Sequence, residues 1–165
     1  MKPKFVTLPD INIAGYSIKT TTADGENFAK IPDFWGDYLT DGNQNKLHNS
    51  EFVKCHSEYG ACFSENGEML YVIGVEVKDN VEISKEFYTC TIPAATYAVF
   101  STPHSKPQEF GKNIQETWKY IFYEWLPSSE YEYAQNCVDF EHYTEECMSE
   151  KGMTCDIYIP IIEKK

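Results

Sequence analysis

Glu141 and Tyr143 stand two residues apart in Phe140-Glu141-His142-Tyr143, which puts both side chains on one face if the stretch is extended. A carboxylate inside a strand needs hydrogen bonds or a cationic partner when it is buried. A ring beside it attracts a lipophilic cation through its quadrupole. The pair therefore fits recognition of such a cation; the competing explanation is a solvent-facing Glu on the polar side of an exposed sheet. The same residues also fit acid–base work, with Glu141 as base or nucleophile and Tyr143, assisted by Glu76, completing the proton transfers of a hydrolase. Trp118, Trp35, Tyr97 and Phe34 are further candidates for a ligand wall, and core packing competes as the explanation for each. Glu76 shares a predicted strand face with Gly74, whose missing side chain lets a ligand or another backbone approach. An exposed strand glutamate explains the same letters.

The elements that must position these residues occur twice. Leu8–Ser17 matches Ile92–Ser101 at an offset of 84, and Ile31–Trp35 matches Ile114–Trp118 at 83. Each match joins a β-branched, aromatic strand to an amphipathic helix. In the first half Lys4 to Lys19 contains a strand, with Pro9 and Asp10 marking its start or a bulge. The helix carries Phe28, Ile31, Phe34, Trp35, Tyr38 and Leu39, with Pro32 in its first turn and a stop before Asp41-Gly42. The segment from Asn43 to Cys55 shows little pattern and reads as a loop or a poorly formed helical turn. Asn66-Gly67, between two sheet-forming segments, is the strongest hairpin signal. It predicts a strand with Tyr71, Ile73, Val75 and Val77 on one face and Val72, Gly74 and Glu76 on the other.

The second half repeats the order. Phe87–Ser101 is a strand broken or bulged at Pro93, Thr102–Phe110 a loop, and Asn113–Trp125 a helix stopping before Leu126-Pro127. Asn136–Tyr143 is a strand, Thr144–Gly152 an acidic turn, and Thr154–Ile162 a strand in which Pro160 marks an edge or bulge. The fold class is α+β: duplicated β-α-β-β units, about 1–80 and 86–165 of one domain, forming a merged antiparallel sheet with two main helices on one face and a cleft between the halves.

The chain of 165 residues carries a formal net charge of -12, which disfavours phosphate backbones and anionic lipid and favours cationic ligands. Direct nucleic-acid and membrane partners are therefore not expected. Twelve tyrosines against three tryptophans point to hydrated surfaces or a cavity wall, and abundant sheet explains them as well. The opening residues show no basic segment leading into an apolar run, so the expected location is cytoplasmic and the six cysteines are read as reduced thiols. Their scattered spacing supports neither a metal site nor a cofactor site.

Gly67–Val77, Ile92–Phe100, Glu124–Pro127, Phe140–Tyr143 and the terminal Cys155–Ile161 together resemble the gyrase-inhibitor-like small-molecule-binding family, which includes effector-binding domains of AraC-type and MerR-type regulators. The resemblance covers nearly the whole chain. It implies a duplicated β-α-β-β fold with an aromatic-lined cleft in which an acid receives cationic, amphipathic compounds. The chain departs from the family in carrying Asp156 where Glu often precedes the final Ile-Tyr-Ile-Pro run, and Pro103, His104 and Pro107 in the loop where glycine is frequent. The reading is a binding module for hydrophobic or cationic small molecules. Hydrolysis of reactive xenobiotics and an inhibitory, gyrase-inhibitor-type role towards a basic protein partner are the alternatives, so whether it is an enzyme stays open.

Overall fold

A computed structural model describes residues 1–65 and 68–165; Asn66 and Gly67, where the tight turn is expected, lie outside them. In chain order the elements are β1 (Lys4–Leu8), β2 (Ile11–Thr20), α1 (Glu26–Thr40), α2 (Asn43–His48), β3 (Val53–Glu65), β4 (Glu68–Val77), β5 (Tyr88–Ile92), β6 (Ala95–Ser101), α3 (Pro107–Tyr120), β7 (Tyr131–Tyr133), β8 (Asp139–Tyr143), β9 (Met148–Ser149), β10 (Gly152–Met153) and β11 (Asp156–Glu163). The fold is α+β with antiparallel strands. It divides into two compact units, Ile11–Ile92 and Met1–Asp10 with Pro93–Lys165.

In the unit Ile11–Ile92 the pairings give the order β3-β4-β2-β5, antiparallel throughout. In the other unit β6 pairs with β11 and β11 with β8, again antiparallel. Duplication is plain in this: β2, β4 and β3 correspond to β6, β11 and β8. Each unit takes its outer strand from the segment that precedes the other unit's first strand, because β5 pairs with β2 and β1 with β6. Pro9 and Pro93 lie in the breaks that allow it, since proline has no donor for a continuous ladder.

The cores follow strand alternation. Tyr71, Ile73, Val75 and Val77 join Ala14, Tyr38, Leu47 and Phe87 in the first unit. Ile157, Ile159 and Ile161 join Ala98, Phe100 and Ile121 in the second. Gly15 faces Gly74 across β2 and β4, and a Cβ on Gly15 would lie 1.9 Å from the Ile73 carbonyl oxygen.

Several boundaries differ from the sequence reading for identifiable reasons. Asn43–His48 is a helix: its Leu47 is fully buried, so one apolar anchor on an otherwise polar segment is enough. Pro32 lies well inside α1 instead of in its first turn; it is exposed, so water reaches the carbonyl it leaves without a donor. Pro107 opens α3 at its first turn, earlier than the expected loop permits. At the other end the helix does not stop before Leu126. It passes into a π-helical stretch, Ile121–Trp125, and a last turn, Leu126–Ser128, so the wider turn absorbs Pro127. Pro160 is not at a sheet edge: β11 pairs with β8 through Tyr158 and with β7 from Ile161, and Pro160 falls between the two pairings. The acidic stretch after Tyr143 is ordered by Thr144, whose hydroxyl accepts from the Glu146 N–H, and by the β9–β10 pair.

Candidate functional site

β8 carries Glu141 into the interior, where it is only 7% exposed. α3 brings an indole over it: the Trp118 Nε1–H donates to Glu141 Oε1 at 2.8 Å, and the Tyr143 hydroxyl donates to Oε2 at 2.7 Å. Each carboxylate oxygen thus receives a donor, which lowers the cost of burial. Trp118 stacks on Phe122 with ring centroids 5.9 Å apart and planes 7° from parallel. Phe122 lies 6.2 Å from the Tyr133 ring, and the Tyr133 hydroxyl donates to Asp139 Oδ2 at 3.2 Å. Tyr133 in turn lines a surface depression of about 440 Å³ with Glu132, Ala134, Gln135, Cys137 and Ile162. A buried acid and a run of three rings therefore connect the interior of β8 with the surface.

The unit Met1–Asp10 with Pro93–Lys165 accordingly brings Trp118 and Tyr143 to Glu141; the strand spacing pointed to Tyr143 alone. Tyr97 packs differently: it is fully buried, its hydroxyl donates to the Pro93 carbonyl, and its ring meets Phe140 and Tyr158 edge-on. Burial holds its phenol well above the ordinary tyrosine range. Tyr158, stacked on Phe140 with centroids 4.5 Å apart, is raised for the same reason.

In the unit Ile11–Ile92 the Trp35 Nε1–H donates to the Tyr71 hydroxyl at 2.8 Å, and Phe34 meets the same tyrosine edge-on. Glu76 accepts from Lys54 Nζ at 2.7 Å. Its partner is a strand neighbour, and a lysine already neutralises it.

Sequence reasoning missed Glu58. Its Oε1 receives three donors: the Tyr38 hydroxyl at 2.6 Å, Gln44 Nε2 at 3.0 Å and His48 Nε2 at 2.8 Å. Burial, and then the bond to Glu58, push the Tyr38 phenol far above its usual range. The signal was present in the repeat: the offset of 83 that aligns Trp35 with Trp118 also aligns Glu58 with Glu141. Among the described residues no group of three metal-ligating side chains is placed to hold an ion, and none of the cysteines forms a disulfide. No helix of the described residues is long and apolar enough to cross a membrane.

Comparison with known proteins gives a family model, Cass2, integron-associated effector binding protein, matching residues 4–161. Among curated proteins the transcriptional regulator BrlR of Pseudomonas aeruginosa is 32% identical over 106 residues, which cover 62% of this chain and 37% of the regulator. The match thus spans little more than a third of that relative's length. Among solved structures, SAV2435 bound to tetraphenylphosphonium superposes with a TM-score of 0.80 at 18% identity, covering 98% of this chain and 94% of the other. A transcription regulation protein of Staphylococcus aureus gives 0.70 at 20% identity and 98% coverage of both chains. The integron cassette protein VCH_CASS2 of Vibrio cholerae gives 0.59 at 19%, covering 98% and 96%. At these identities the superpositions establish the fold, and they agree with the resemblance carried by the strand and helix motifs.

Proposed function

The chain belongs to the family of integron-associated effector-binding proteins, matched over residues 4–161, and from that premise we propose that its effector is a lipophilic organic cation held at Glu141. The observation that carries this reading is a carboxylate 7% exposed whose two oxygens are held by an indole N–H and a phenol. When ionised, such a group attracts a cation in a medium that screens the attraction weakly. A cation that brings its own apolar surface loses little hydration on entry. The rings of Trp118, Phe122 and Tyr133 supply flat, polarisable surface for it. The net charge of -12 favours the approach of cations. The tetraphenylphosphonium held by SAV2435 is a ligand of this class, and that protein shares the fold.

The protein is proposed to act in the cytoplasm, where cysteines outside disulfides remain reduced. Calorimetric titration with tetraphenylphosphonium, against the neutral triphenylphosphine oxide, tests the effector class. Saturable binding of the cation, at least about tenfold tighter than the neutral compound, supports it; equal affinity or no binding refutes it. Mass spectrometry of the same mixtures with ester and epoxide probes separates binding from turnover.

A further inference from the structure

The second acid, Glu58, is joined to two histidines in a line. His48 Nε2 lies 2.8 Å from Glu58 Oε1, and His48 Nδ1 lies 2.9 Å from His56 Nδ1. The two imidazole planes lie 17° from parallel with centroids 5.2 Å apart, so the rings meet edge to edge through these nitrogens. His56 is exposed, while the side chains of His48 and Glu58 are 20% and 13% exposed.

Hydrogen positions follow from these contacts. Glu58 Oε1 already accepts from Tyr38 and Gln44, so the bond from His48 requires a hydrogen on Nε2. Two Nδ1 atoms at 2.9 Å must share a single hydrogen, because two lone pairs or two N–H groups would repel. With His48 neutral its Nδ1 is bare, and His56 must supply an Nδ1–H. One further proton fits without breaking a contact. It bonds to the lone pair of His56 Nε2, the His56 Nδ1–H proton passes to His48 Nδ1, and the positive charge resides on His48 opposite Glu58. The Nδ1 to Nδ1 bond persists with its direction reversed.

We propose that Glu58, His48 and His56 form a proton-uptake relay, in which a proton accepted from solvent at His56 appears as positive charge beside the Glu58 carboxylate. The surrounding groups leave this sequence intact. From α1, Tyr38 is held protonated by burial and by Glu58. From α2, Gln44 is a neutral donor. On β3, Lys54 is occupied by Glu76 of β4, and Cys55 donates to Ser57. Tyr16 of β2, beside Tyr38, stays neutral through burial, with Lys46, Glu86 and Asp41 as the charges around it. Lys46 and Glu86 neutralise each other. The relay is independent of the Glu141 reading.

Imidazole nitrogen NMR of the whole 15N-labelled chain, which has four histidines, tests the relay between about pH 8 and about pH 5. At the upper end His48 is expected as the Nε2–H form and His56 as the Nδ1–H form. On acidification the added charge should be found on His48, opposite Glu58, while the hydrogen of His56 moves from Nδ1 to Nε2. His48→Gln keeps an N–H for Glu58 and should return His56 to an Nε2–H form that charges without a tautomer change. An Nε2–H form of both histidines at about pH 8, charging of His56 before His48, or a His56 tautomer indifferent to His48→Gln would each overturn the proposal.

Discussion

The indole of Trp118 donates to Glu141 Oε1 across 2.8 Å, so the helix carrying the aromatic stripe is joined to the strand carrying the buried acid by one polar bond. Trp118 also packs against the core of its unit. The bond fixes its rotation, and with it the face offered to Phe122.

Trp118→Phe keeps an aromatic ring, smaller than the indole, and removes the donor. A buried carboxylate oxygen then loses a partner, which costs about 1–3 kcal/mol. Denaturant unfolding should show that loss. Trp118→His, which restores a ring N–H, should recover part of it.

At Tyr38 the expected effect depends on pH. Burial and Glu58 raise its phenol far above the ordinary value, so the native state keeps the proton after the unfolded chain has lost it. The native state therefore binds more protons, and stability falls as pH rises above about 10. Tyr97 adds to the same slope through burial. Tyr38→Phe should cost about 1.5–3 kcal/mol at neutral pH, because its hydrogen bond reaches a charged acceptor, and should flatten the alkaline decline. An unchanged slope in alkaline denaturation would rule out Tyr38 as a source.

Gly15→Ala tests the close approach of β2 and β4. The new Cβ would meet the Ile73 carbonyl at 1.9 Å, and both atoms belong to paired strands, so the ladder must open. A loss above about 3 kcal/mol is expected, seen as a melting temperature lower by roughly 6 °C or more. Gly36→Ala, with nothing within 4 Å of the added carbon, is the control and should be neutral or slightly stabilising.

Thiol labelling should separate the cysteines by burial. Burial pushes the Cys90 thiol up to about 12 and raises Cys147 and Cys155 as well. Since the thiolate is the attacking form, the exposed Cys55 should react first. The three raised thiols should follow at least roughly tenfold more slowly in a mass-resolved time course.

How much of this was legible beforehand depended on whether the pattern was local. Strand alternation from Tyr71 to Val77 and the stripe Ile114, Trp118, Ile121 are local, and both cores follow them. The pairing of Glu141 with Tyr143 was legible because strand residues two apart share a face. Pairings made over long separations were hidden: no local signal tells that β1 joins β6 or β5 joins β2. Helix α2 was legible only as a loop or a poorly formed helical turn, because a single leucine anchors it. Glu58 was overlooked because its partners, Tyr38, Gln44 and His48, come from two helices upstream of its own strand, although the repeat offset pointed to it. Tyr97 was legible only as an aromatic. Its burial against Phe140 and Tyr158 needs the tertiary fold.

The central claim is that the negative charge of Glu141 selects the effector, and calorimetry of the wild type and Glu141→Gln with tetraphenylphosphonium and triphenylphosphine oxide tests it most directly. Glutamine retains the shape and an acceptor for Trp118 while removing the charge. The account predicts that the substitution weakens the cation by at least about tenfold, about 1.4 kcal/mol, and leaves the neutral compound within about threefold. Equal losses for both compounds, or cation binding unchanged by the substitution, would contradict it.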